Sequence, residues 1–205
     1  SDADTTDQIT VGLAGQSVAY RSSAGADLTA SLSDAQRASL LQAFTIPGGN
    51  LGRNSGSQSW TYTLGDSSLD FLAAGETITV TSVVQASDGN GGITAQNVVV
   101  TLTGTNDAPT IAAVANGDPT ITAAVSESAG MTGSGTVSVR TGNIGFSDLD
   151  FTDAHTVTVS PKAGGYAGAV SAVVSADSTG GRSGRVDWTY TVADKALDVL
   201  AVGQQ

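Results

Sequence analysis

WTYTLGDSSLDFLAAGE (residues 60–76) returns as WTYTVADKALDVLAVGQ (residues 188–204), 128 positions later. Each copy begins with aromatic and β-branched residues in alternation. Trp60 and Tyr62, like Trp188 and Tyr190, therefore share one face of a strand, the face expected to pack into a core. Each strand runs into an acidic turn and a Leu-Asp-x-Leu-Ala anchor. A strand and turn written once per hundred-odd residues predict one β unit built twice.

A second alignment fixes the extent of each copy. SDADTTDQITV (1–11) lies on SDLDFTDAHTV (147–157) without gaps at an offset of 146. The first copy thus holds 18 more residues between its acidic stretch and its tryptophan. They are accounted for by LSDAQRASLLQAF (32–44), the one convincing helical stretch. Ser33 caps it with Gln36 closing a capping box, and Leu40, Leu41 and Phe44 make its apolar face. Ile46-Pro47-Gly48-Gly49 stops it, so a helix is expected over about 33–45. The second copy has PKAGGYAG (161–168) in that region, which makes the helix an insertion into the first domain.

The remainder reads as strand and turn. TITVTSVVQA (77–86), ITAQNVVVTLTG (93–104), HTVTVS (155–160) and VDWTYTV (186–192) are β-branched runs separated by Gly, Asn and Asp clusters. SDGNGG (87–92) joins the first two as a hairpin. The expected fold class is all-β, with two tandem β-sandwich domains of Ig-like, Greek-key type. Pro109 ends the strand leaving the first hairpin, giving domains at 1–109 and 110–205. By this phase the first domain lacks the strands that precede its acidic stretch. The second lacks a closing hairpin equivalent to 77–104, which would follow Gln205 or come from a partner.

Composition narrows the function. Carboxylates outnumber Lys and Arg by 19 to 8, for a net charge of -11, which disfavours nucleic acid. There is no Cys, so thiolate chemistry and disulfides are excluded. No apolar run is long enough for a membrane span. The single histidine, His155, sits among alternating Thr and Val residues and reads as a strand surface position. No Ser lies in a nucleophile elbow, since Gly15-Gln16-Ser17-Val18-Ala19 misses the pattern. The acidic turns repeat with the domains, as ion sites would and a catalytic pair would not. A non-enzymatic protein is expected.

The acids themselves form a pattern. Asp2, Asp4 and Asp7 match Asp148, Asp150 and Asp153 as D-x-D-x-x-D, which can fold several carboxylates around one hard cation. Asp88 stands at a strand end, Asn106 and Asp107 lie at the junction, and Glu127 follows the first strand of the second domain. All ten are candidate Ca2+ ligands, with Asp107, Glu127, Asp148 and Asp150 the set expected to share a junction ion. Asn90, Gly91 and Gly92 are read as turn formers. Tyr20 and Tyr166, outside the repeated motif, are candidate sugar contacts.

W-T-Y-T-[LV]-x-D-x-x-L-D-x-L-A-x-G, the T-[IV]-T-V-T strand leading to SDGNGG, and TGTNDAP together resemble the bacterial cadherin-like repeats, particularly the VCBS type of exported adhesins. The resemblance spans nearly the whole chain and extends to rhizobial secreted proteins of the Rap type. It implies cadherin-like sandwiches in tandem, calcium at the junctions, and a secreted or cell-surface protein serving adhesion and biofilm formation. Asn106-Asp107-Ala108-Pro109 is shorter than the animal linker D-x-N-D-N-A-P. The implied partners are neighbouring copies of the protein or an acidic polysaccharide. Two other functions fit the same residues: a calcium-dependent lectin for acidic exopolysaccharide, and an assembly subunit whose open sheet edges another chain completes.

Overall fold

The computed structural model describes residues 4, 6–53, 56–111, 123–161 and 167–200. The chain divides into two compact units, Ser1–Asn106 and Asp107–Gln205, slightly earlier than the expected division after Pro109. Asp107 sets the difference. Its backbone N–H donates to Asp150 Oδ2 at 2.8 Å, which ties the acidic linker to the second unit. The described fold is mostly β, with antiparallel sheets and one α-helix.

In the first unit the strands are β1 (Gln8–Arg21), β2 (Phe44–Thr45), β3 (Gly49–Arg53), β4 (Thr61–Tyr62), β5 (Thr77–Ser87) and β6 (Ile93–Thr103). The main sheet runs β3-β1-β5-β6, and β2 and β4 form a separate pair. Alternation decides the inward face. Ile78, Val80 and Ser82 of β5 are buried, opposite Tyr20, Val18 and Gln16 of β1. The 87–92 turn closes as the sequence suggests. Asp88 Oδ1 accepts from the N–H groups of Asn90 (2.7 Å) and Gly92 (2.9 Å), and a Cβ at residue 92 would lie 2.0 Å from Asp88 Oδ2.

Helix α1 (Asp34–Gln42) carries the expected Ser33–Gln36 capping box. It ends before residue 45 because Phe44 leaves it to pair with Tyr62 and to stack on Trp60, ring centroids 5.6 Å apart. Leu40, Ala43 and Phe44 are buried with Val18, Tyr20, Phe71 and Leu72.

The second unit contains β7 (Thr110–Ile111), β8 (Val137–Ser147), β9 (Ala169–Ala176) and β10 (Gly184–Ala193), ordered β7-β8-β10-β9. Here the repeated stretch is a full strand. β10 pairs with β8 from Gly184↔Phe146 to Ala193↔Val137 and with β9 on its other side. Two glycines make room for rings. A Cβ on Gly142 would lie 2.5 Å from the Trp188 indole, and one on Gly184 would lie 2.3 Å from Phe146. Gly184→Ala must displace Phe146, a buried side chain, and is expected to destabilise the second unit by about 1–3 kcal/mol, read as a lower denaturant midpoint at unchanged slope.

The same WTYT sequence thus occupies two different neighbourhoods. Trp188 is partly covered between β8 and β9, whereas Trp60 is 44% exposed, against the expectation that both are core. β4 pairs with β2 alone among the described strands, so Trp60 has the Phe44 ring stacked on it but no second flanking strand. The converse holds for the acidic stretches. Residues 8–21 form β1, but the matching residues 154–161 form no described strand. In the described residues the first unit presents a four-stranded sheet and the separate β2–β4 pair, and the second unit a four-stranded sheet. Buried apolar side chains follow suit: most lie in the first unit, with Phe146, Val192 and Leu197 the buried ones described in the second.

Candidate metal centre

The turn after β10 is a short 3-10 helix, Asp194–Ala196, and the first unit repeats it as Asp66–Ser68. Leu197 N–H donates to Asp194 O at 2.8 Å, as Leu69 N–H does to Asp66 O. Leu197 is buried and anchors the turn. In the second unit, residues 127–136 run along this turn. The N–H groups of Asp194 and Lys195 donate to the carbonyls of Thr136 and Ser134.

That packing orients two carboxylates. Asp194 Oδ1 accepts from the Ser128 N–H at 2.8 Å, and Asp198 Oδ2 accepts from the Gly133 N–H at 2.7 Å. Each acid is held by one oxygen, and the other oxygen is buried without a partner: Asp194 Oδ2 and Asp198 Oδ1. Asp194 as a whole is only 5% exposed. Glu127 joins them, so that one ligand oxygen from each of the three lies within 4.8 Å of the others. Among the described residues this is the one group of three or more acidic, His or Cys side chains so placed. It could hold a metal ion. Leaving two buried carboxylate oxygens unpaired is costly, and an all-oxygen donor set suits a hard cation.

A second acidic cluster lies at the other acidic stretch of the same unit. Asp150 is fully buried; its Oδ2 takes the Asp107 N–H and its Oδ1 has no partner. Burial first, then the nearby charges of Asp153, Asp148 and Asp107, push its carboxyl above the usual range, while the Asp107 N–H opposes them. Asp148 Oδ1 accepts from the Asp150 N–H at 3.0 Å. Its Oδ2 meets His155 Nε2 at 2.9 Å, and His155 Nδ1 meets Asp177 Oδ1 at 2.7 Å.

His155 is thus not a strand surface residue. Its side chain is 13% exposed and bridges two carboxylates, which favour the protonated ring beside Asp148. Hydrogen bonds to Asp148 and then Asp177 raise the imidazole above its ordinary value, against desolvation. The His155 N–H groups hold Asp177 below its own. A raised imidazole contributes stability that is complete below about pH 6.5 and lost as pH rises through the folded-state value. Asp177 adds stability above about pH 4 that is lost on acidification. In EGTA, the melting temperature of the wild-type chain should fall between pH 6 and 9. His155→Gln should flatten that slope.

The structure therefore brings Asp107, Asp148 and Asp153 around the buried Asp150 carboxylate, and Glu127 to a different pair of acids. Asp4 and Asp7 reproduce the turn of Asp150 and Asp153: Asp7 N–H to Asp4 O is 3.3 Å and Asp153 N–H to Asp150 O is 3.4 Å. Asp2 lies outside the described residues, as does Tyr166. Asn106 closes the first unit, and one oxygen of Asp88 is engaged by its own turn. Tyr20 is corrected outright as a sugar contact. It is 1% exposed and its hydroxyl donates to buried Glu76, because its place opposite Ile78 points it into the core. The sequence does not single out Asp194 and Asp198 as candidate ligands, although both stand in the repeated stretch, at the positions of Asp66 and Asp70.

No protein-family profile matches the sequence, and no curated protein or solved structure matches it either.

Proposed function

We propose that this chain is a calcium-binding, cadherin-like tandem module of a secreted or cell-surface bacterial protein that serves cell or matrix adhesion and is not an enzyme. The observation that carries the reading is the group Glu127, Asp194 and Asp198, whose carboxylates each bring one oxygen within 4.8 Å of the others and of which Asp194 and Asp198 each keep one buried oxygen without a hydrogen-bond partner. Calcium accepts six to eight oxygen ligands in flexible geometry, so three carboxylates with water fit it better than the strict octahedron of magnesium. When bound, the ion supplies positive charge that neutralises mutually repelling carboxylates and stiffens the turn against residues 127–136.

The acidic balance of the chain and the recurrence of its acidic turns in both units support this reading, as does the sequence resemblance to cadherin-like repeats. Adhesion and export rest on that resemblance alone. The test is thermal unfolding of EGTA-treated protein during calcium titration. A ligand that binds only the folded state at a hundredfold excess over Kd adds about 2.7 kcal/mol. For a unit of this size that is a rise of roughly 10–20 °C. No shift at millimolar calcium, or an equal shift with magnesium, would sink the calcium reading.

A further inference from the structure

The turn between β5 and β6 carries chemistry of its own. SDGNGG (87–92) sets Asn90 directly before Gly91, the one Asn-Gly step among the described residues. Gly89 and Gly91 have φ of 81° and 105°, and neither brings a side chain to restrict Asn90 between them. Asn90 and Gly91 are both exposed, and a Cβ built on Gly91 would meet nothing within 4 Å.

Hydrogen bonding divides the turn unevenly. Asp88 Oδ1 accepts from the N–H groups of Asn90 and Gly92, and the Asp88 N–H donates to Gly92 O at 3.2 Å. The Gly91 N–H between them has no acceptor among the described residues, and the Asn90 side-chain amide has no partner there. The two groups that would join in a succinimide ring are therefore free and in contact with solvent. Asparagines in the strands differ on both counts. Asn97 pairs with Val83 and precedes Val98, and Asn143 pairs with Asp187 and precedes Ile144. There the sheet holds the backbone, and a β-branched side chain crowds the attacking nitrogen.

We propose that Asn90 is a site of spontaneous deamidation in the folded protein, through a succinimide formed with Gly91. The Gly91 nitrogen gives its proton to hydroxide and attacks Asn90 Cγ. The new N–Cγ bond forms, the Cγ–Nδ2 bond breaks, and the nitrogen of the side-chain amide leaves as ammonia. Water then opens the ring at either carbonyl, giving aspartate with the ordinary main chain or isoaspartate with the main chain routed through Cβ and Cγ. The net change is one water taken up and one ammonia released, with no oxidation or reduction. Either product adds one negative charge to a chain of net charge -11, two positions from Asp88. Isoaspartate also lengthens the main chain between the two N–H groups that Asp88 holds.

The site does not depend on the cation reading, so the test is run in EGTA. The full 205-residue chain is kept folded in mildly alkaline buffer and mapped by proteolysis and mass spectrometry, with isoaspartate identified chemically. Mapping by residue separates Asn90 from Asn116, which also precedes a Gly and lies outside the described residues. A gain of about 1 Da, split between aspartate and isoaspartate, is expected at position 90. Its rate should lie within about tenfold of that in a free peptide of residues 86–94 and rise about tenfold per pH unit, because the deprotonated amide is the nucleophile. Asn90→Gln should abolish the conversion without changing the melting temperature, since the larger ring closes far more slowly and the side chain has no partner to lose. Asn90 left intact while the free peptide converts would overturn the proposal, because the folded turn would then protect it. Conversion of Asn97 or Asn143 as fast as Asn90 would also overturn it, by placing the reaction in the unfolded chain.

Discussion

In millimolar calcium, Asp194→Asn should melt roughly 10–20 °C below the wild type in its second unit, while in EGTA the two should melt together or the variant slightly higher. The geometry makes the substitution nearly silent without the ion. The asparagine carbonyl can keep the Ser128 N–H bond that Asp194 Oδ1 accepts at 2.8 Å, and the side-chain volume is unchanged. What is lost is the buried oxygen with no partner, Oδ2, together with one negative charge. Its replacement, an amide nitrogen, donates and cannot ligate a cation. Asp198→Asn should behave alike, since its other oxygen takes the Gly133 N–H. A variant that loses stability equally with and without calcium would mean that Asp194 serves only to pin residues 127–136.

Asp150→Asn should stabilise the calcium-free chain by about 1–3 kcal/mol, the usual cost of a buried polar atom left unsatisfied. Asp150 is fully buried, has one partnerless oxygen and has three acids near it. Its carboxyl is raised in the folded state, so folding favours the protonated form. The linked stability is fully present below the ordinary aspartate range and is lost as pH rises through the folded-state value. Asparagine keeps the Asp107 N–H bond and presents an amide to the surrounding carboxylates. The gain should therefore be largest at neutral pH and vanish on acidification. Calcium should narrow the gap between wild type and variant if this cluster also takes an ion, and leave it unchanged if His155 already provides the compensating charge.

Much of the fold was legible because local chemistry and tertiary context agree. The Ser33–Gln36 capping box, the 87–92 turn and the in-register hairpin from Thr77↔Thr103 to Ser87↔Ile93 are short-range features that residues specify directly. Trp60 was misjudged for the opposite reason. Its sequence is that of Trp188, but burial depends on a neighbouring strand, and β8 lies beside only one of them. The site shows the same split. Asp107, Asp148, Asp150 and Asp153 are close in sequence or joined by a single backbone bond, and their spacing announced them. Glu127 was also picked out, yet its partners Asp194 and Asp198 lie more than sixty positions away and meet it only through the packing of residues 127–136. A signal for them existed: each repeats an Asp of the first copy at an offset of 128, within a stretch read for its strand and not for its acids.

The most direct measurement is a crystal structure of the chain grown in calcium, with a terbium-soaked crystal to locate the ion by its anomalous signal. The expected result is a peak about 2.3–2.6 Å from Asp194 Oδ2 and Asp198 Oδ1, with Glu127 completing the protein ligands. Well-ordered side chains at these three positions with no peak between them, at calcium concentrations that raise the melting temperature, would contradict the account.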